Sequence, residues 1–176
     1  MKQTMTEKPL KVAVTKSLRK WLVTINLDIE EVEDGYSCDS ITTELEHRPT
    51  LDDVRDIITA HIDGLTDEKI LWGYPWKVQH GPDEGKDVKV WLSKENQNNF
   101  KAKHDAALIY PDKVKFPMTY KISEDTETKK AIYEVFENIT ELATFYLGGL
   151  AYIESCYNAG WAEKDAIDDW LEDVVL

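Results

Sequence analysis

Cysteine is scarce in this chain. Only Cys38 and Cys156 occur in 176 residues, too few and too far apart for a stapled secreted scaffold. Long apolar runs are missing too. The longest, Leu142 to Ile153, is about half of the ~20 residues that a membrane span needs. The polar stretch Met1 to Leu10 lacks the apolar core of a signal peptide, so a protein that stays soluble in the cell that makes it is expected. Basic residues are outnumbered, 21 against 34 acidic, which leaves a formal net charge of -13. A surface of that sign repels phosphate backbones and anionic lipid, so neither nucleic acid nor membrane is an expected partner.

Catalytic signatures are lacking as well. No Gly-rich phosphate loop and no G-x-G-x-x-G occurs, and no serine sits in a nucleophile-elbow context. His47, His61, His80 and His104 show neither H-E-x-x-H nor zinc-ligand spacing. The acidic clusters Glu30-Glu31-Glu33-Asp34, Asp52-Asp53 and Asp168-Asp169 do not place oxygens at the alternating positions of a calcium loop. The expectation is a protein that is not an enzyme, with no cofactor and no metal.

What is present is a globular composition, 42 % hydrophobic and 31 % charged, enough to build a core without staples. Met1 to Pro9 reads as a loose lead-in, and Lys11 to Thr15 as a short strand. Trp21, Val23, Ile25, Leu27 and Ile29 alternate with mostly polar neighbours, the period of a strand with one buried face. Asp34-Gly35 is a hairpin turn, and Tyr36 to Leu45 the return strand. Thr50 then caps a helix whose apolar side carries Leu51, Val54, Ile57, Ile58, Ile62 and Leu65.

A polar loop, His80 to Lys86, separates short strands at Trp76–Gln79 and Val88–Leu92. It sets the expected division into an N-terminal hairpin-plus-helix region, 1–86, and a C-terminal α+β module, 87–176. Trp72, Tyr74 and Trp76 cluster just before it and are the candidate interface. Ser93 caps a second helix with Phe100, His104, Ala107 and Leu108 inward, and its amides Asn96 and Gln97 are expected to bond neighbouring backbone. Strands at Val114–Ile122 and Ala131–Phe136 follow. Asn138 and Glu141 open a third helix with Ile139, Leu142, Ala143, Tyr146, Leu150, Ile153 and Tyr157 on one side. Its Gly148-Gly149 implies a closely packed neighbour, and Ala159-Gly160 is the expected end. Trp161 then starts a short acidic helix. The fold class is α+β: a small antiparallel sheet made of hairpins, about three helices, and a short C-terminal helix.

The phrases Val90-Trp91-Leu92-Ser93-Lys94-Glu95-Asn96-Gln97, Phe116-Pro117-Met118-Thr119-Tyr120 and Gly160-Trp161-Ala162-Glu163-Lys164-Asp165 resemble an uncharacterised domain of bacteriophage and prophage tail, tail-fibre and tail-fibre-assembly proteins. The likeness covers about residues 88–172, and more loosely the chain from residue 20. It implies a non-enzymatic structural or tail-associated protein whose partners are other phage proteins or a second copy of itself. A tail-fibre assembly chaperone and an acidic inhibitor that mimics nucleic acid are the alternatives. The recurrent residues Trp91, Ser93, Asn96, Gln97, Trp161, Lys164 and Asp165 read as a folding framework, Trp91 anchoring a strand end and Trp161 with Ile167 folding the last helix back onto the third.

Overall fold

The alternating N-terminal segment forms what its period demands. In the computed structural model, which describes residues 2–176, it is the centre of an antiparallel sheet of four strands. These are β1 (Lys2–Met5), β2 (Val12–Ser17), β3 (Lys20–Val32) and β4 (Gly35–Leu45), in the order β1-β4-β3-β2. Val12 stands opposite Ile25, Val14 opposite Val23, and Ile41 on the far side of Ile25, so one face is continuously apolar. Val23 and Ile25 are fully buried, and each contributes about 2 kcal/mol by leaving water. Met1 lies outside the described residues, and within the expected loose lead-in Lys2 to Met5 form a strand, β1, that pairs with β4.

The sheet belongs to a compact unit formed by Met1–Ile62 and Ala162–Leu176. Its apolar face packs on the first part of α1 (Leu51–Leu71) and on α4 (Ile167–Leu171), with Val54, Ile58, Ile62, Ile167 and Leu171 in the core. Thr50 and Asp53 cap α1 reciprocally. The Asp53 N–H donates to Thr50 Oγ1 at 3.2 Å, and the Thr50 N–H donates to an Asp53 carboxylate oxygen at 2.8 Å. Leu51 and Leu65, expected on the inner stripe, are exposed, so the buried arc is narrower than the apolar one.

The second unit, Asp63–Trp161, holds the remaining elements: β5 (Tyr74–Lys77), β6 (Asp87–Val90), α2 (Lys94–Ile109), β7 (Met118–Glu124), β8 (Ala131–Phe136) and most of α3 (Ile139–Asp165). Strands β5 and β6 pair as one hairpin, and β7 and β8 as another. The chain therefore does not part at 86/87, because β5 and β6 lie on either side of that point and pair from Tyr74–Val90 to Lys77–Asp87. Rings dominate this core. Phe145 meets Phe100, Phe136 and Trp76 at centroid distances of 5.1 Å, two of the three edge-on.

Helix α3 runs through Ala159-Gly160 instead of ending there, so Trp161 lies inside it rather than opening the last helix. Gly160 is present for packing, since a Cβ there would sit 2.5 Å from Thr66 Oγ1. The expected close neighbour of Gly148-Gly149 is the Tyr74 ring, 3.3 Å from a Cβ built on Gly149. Leu150 and Tyr157 of α3, and Leu108 of α2, are exposed and not inward-facing. No helix is long and apolar enough to cross a membrane among the described residues.

Candidate functional site: a tryptophan-walled groove

The three aromatics clustered in sequence at 72–76 are split by the fold. Tyr74 is 5 % exposed and lies in the core, its hydroxyl donating to the Phe145 carbonyl at 2.8 Å. Burial, with Glu134 as a smaller cause, pushes its phenol well above the usual tyrosine range. Trp76 is half-buried, and its indole N–H donates to Glu134 Oε2 at 2.6 Å. Only Trp72 faces water, at 69 % exposure. The turn that separates it from Tyr74 needs Gly73, whose φ is +82° and whose Cβ would fall 1.7 Å from the Val90 carbonyl oxygen.

Glu134 is the functional-looking residue that sequence reasoning missed, and its work is structural. It is fully buried, and beside Trp76 it accepts from the backbone N–H groups of Gln79 at 2.9 Å and His80 at 2.9 Å. Four N–H donors, counting its own neighbour Val135, surround a carboxylate that has no cationic partner among the described residues. A signal was present in the sequence. Ile132, Glu134 and Phe136 share one face of β8, so the glutamate had to be inside.

The motif residues divide in the same way. Ser93 caps α2 by accepting from the Asn96 N–H at 3.2 Å. Asn96 and Gln97 donate through their side-chain amides to the carbonyls of Trp91 at 2.9 Å and Leu92 at 2.7 Å. These bonds tie the start of α2 to the end of β6, as the amide-rich turn implied. Trp91 is no buried anchor, since it is 55 % exposed. Trp161, at 57 %, is exposed and stacks on Tyr157 with ring centroids 6.2 Å apart. Lys164 is half-buried and Asp165 exposed at the end of α3. Of the two residues expected to fold the C-terminus back, Ile167 alone is buried, together with Leu171 in the core of the sheet unit.

Trp72 and Trp91, remote in sequence, line one open groove of about 890 Å³. Leu71, Pro75, Val88 and Ile132 supply further apolar wall, and Lys86, Asp87, Lys89, Glu124 and Asp125 the charged rim. Much of that rim is already engaged. Lys86 is paired with Asp83 at 2.7 Å, Glu124 with Lys121, and Asp125 accepts from the Thr128 N–H at 2.7 Å. Those contacts hold the carboxyls of Glu124 and Asp125 below their ordinary range, so both are charged at neutral pH. The Lys89 ammonium lies 5.2 Å from the centre of the Trp72 ring, a cation–π contact. Asp87 makes no ion pair among the described residues.

No family model, no curated protein and no solved structure matches the chain. Chemistry must be judged on geometry alone. Among the described residues no group of three or more His, Cys, Asp or Glu is placed to hold a metal ion. His104 stacks on Tyr146 at 4.6 Å, and Cys38 and Cys156 are buried free thiols. A separate cavity of about 130 Å³ beneath Tyr74, Phe100 and Phe145 is apolar apart from Gln97, Asn98 and Lys101. The arrangement at Trp72 and Trp91 is suited to holding a partner by aromatic contact and by charge.

Proposed function

We propose that this chain is a non-enzymatic protein-binding module of a bacteriophage or prophage, working in the particle or its assembly, and that it docks through the Trp72–Trp91 groove. The observation that carries the reading is the exposure of two tryptophans on one groove. Tryptophan is enriched at the energetic centres of interfaces, and large exposed apolar surface on a folded unit marks contact sites. The -13 charge favours fast, salt-sensitive association with partners of opposite sign. The phage assignment rests on the Trp91–Gln97 and Gly160–Asp165 phrases.

The test is binding of the purified chain to isolated particle proteins, native against the Trp72→Ala/Trp91→Ala double variant. Because both side chains are exposed, the variant keeps its far-ultraviolet circular dichroism. Loss of hot-spot contacts weakens binding at least tenfold, since each such residue is worth roughly 2 kcal/mol or more. Equal binding by the two proteins, or no binding by either, rejects the proposal.

A further inference from the structure

Helix α3 has two apolar sides, and the core uses one of them. Its buried residues, Leu142, Phe145, Gly149, Cys156 and Gly160, recur at intervals of three, four or seven. Round the helix from these run Leu147, Leu150, Glu154, Tyr157 and Trp161, at alternating steps of three and four, which is heptad spacing. Leu147, Leu150, Tyr157 and Trp161 are all exposed. Scattered apolar side chains on a surface are ordinary, but four on one stripe along about four turns mark a contact.

The order of sizes along the stripe says what covers it. The N-terminal half offers two leucines and the C-terminal half two large rings. Tyr157 and Trp161 stack with their planes 18° apart, so the rings form one plate before any partner arrives, which lowers the ordering cost of a contact. A parallel copy would set rings on rings and leucines on leucines, prising the axes apart at one end. An antiparallel copy centred on Glu154 sets Trp161 against the partner's Leu147 and Tyr157 against the partner's Leu150. Every apolar layer then holds one ring and one leucine, the equal width that a constant interaxial distance of roughly 8–10 Å requires. Space is also waiting at one layer. Leu150 is a wall of the half-open cavity of about 130 Å³ between α2 and α3. A cavity of about 150 Å³ holds a benzene ring, so this one suits the ring of the partner's Tyr157.

We propose that two copies of this chain associate about a two-fold axis at Glu154, with their α3 stripes in antiparallel contact. The contact is isologous, each copy offering the same residues. It uses neither Trp72 nor Trp91 and is independent of the docking groove. About half of each of the four side chains lies in water, on the order of 400 Å² per copy. That is about half of the ~800 Å² each partner gives to a standard interface, so the pair belongs to the weak, reversible class, with Kd on the order of 10 µM. Two Glu154 carboxylates meet at the axis, and their repulsion weakens the pair without forbidding it, because exposed charges turn to water. The -13 charge of each copy adds a repulsion that salt screens.

The experiment is sedimentation equilibrium of the full chain across the micromolar range. A monomer–dimer equilibrium is expected, and added salt should tighten it, opposite to the groove's salt-sensitive docking. Leu150→Ala and Trp161→Ala should each weaken it at least tenfold, since symmetry removes every contact twice. Glu154→Leu should tighten it at least tenfold, and Trp72→Ala/Trp91→Ala should leave it unchanged. All these side chains are exposed, so circular dichroism should stay native. Orientation is read by oxidation. Glu154→Cys should cross-link two copies, whereas in Leu147→Cys the new thiols lie roughly 21 Å apart and should not. Cys38 and Cys156 are buried and do not compete. A chain that stays monomeric even as Glu154→Leu, or a dimer indifferent to Trp161→Ala, overturns the proposal. So does a dimer abolished by the Trp72/Trp91 variant, or cross-linking of Leu147→Cys as readily as Glu154→Cys. The docking reading is decided separately, by binding to particle proteins.

Discussion

The two units reach a buried core by different chemistry. The sheet unit packs aliphatic side chains, with Val12, Val23, Ile25, Val54, Ile58 and Ile62 against one another. Its sheet displays the apolar face as a strict alternation. In the other unit rings from four elements meet, Tyr74 from β5, Phe100 from α2, Phe136 from β8 and Phe145 from α3, and a carboxylate is sealed beside them. Aliphatic packing is forgiving, because branched side chains of similar volume can exchange places at modest cost. A core of interlocked rings with a buried carboxyl group depends on each donor and each gap. The difference predicts that unit Asp63–Trp161 is the more brittle of the two, and single substitutions can test it.

The largest effect is expected at Glu134. Glu134→Ala removes one acceptor and leaves the Trp76 indole N–H and the Gln79 and His80 amides without their part-buried hydrogen bonds. Each unsatisfied buried donor costs on the order of 1–3 kcal/mol, and the cavity adds to that, so a loss of at least about 3 kcal/mol should appear in chemical denaturation. Ile25→Val in the sheet unit removes one methylene from an equally buried site and should cost about 1 kcal/mol. Equal losses would erase the distinction between the units.

Glycine sharpens the comparison next, because helical glycines in this chain have opposite reasons. At Gly160 the missing Cβ is where Thr66 Oγ1 lies, and Gly160→Ala should cost about 2 kcal/mol by overpacking. Nothing lies within 4 Å of the corresponding point on Gly64, an exposed position inside α1. Gly64→Ala should therefore stabilise by about 1 kcal/mol, the helix-propensity difference alone. Thermal unfolding of both variants gives the signs, and a destabilised Gly64→Ala would mean that α1 is not held as a helix there.

Legibility follows the same division. The hairpin β3–β4, the Thr50 cap and the Ser93 cap were readable because each is fixed by residues a few positions apart. Strand β1 was not, because its partner β4 lies more than thirty residues on and its own four residues, Lys2 to Met5, have little apolar pattern. Gly160 looked like a helix stop because a glycine's reason for being in a helix is on another element, here Thr66. Trp72, Tyr74 and Trp76 formed one cluster by proximity in sequence, whereas Tyr74 and Trp76, two apart on β5, both turn to the ring core and the turn at Gly73 sends Trp72 to the surface. The groove pairs Trp72 with Trp91, and nothing local to either residue announces that. Periodicity reports which side of an element is apolar. It does not report which of two exposed tryptophans share a wall.

The smallest expected effect concerns the sheet unit's own charged contact. The carboxyl of Asp53 is held down to about 2, first by the Thr50 hydroxyl, then by the Thr50 N–H, and then by His47 at 3.0 Å. In the unfolded chain the same group titrates near 3.8. A group whose folded value is depressed binds its proton more readily when unfolded, so its stabilisation is complete above the unfolded value and is lost as pH falls through the folded one. The Asp53 contribution should therefore fade between about pH 4 and pH 2 and be flat above. Asp53→Asn removes this acid-sensitive part while leaving an oxygen that can accept from Thr50. The stability gap between native chain and variant, measured by urea unfolding at successive pH values, should close as pH falls through that window. A gap that stays constant down to pH 2 would show that the cap works through shape and hydrogen bonding alone. The sheet unit would then have no stabilising charge at this helix start, and the contrast with the carboxylate-bearing core of its neighbour would be wider still.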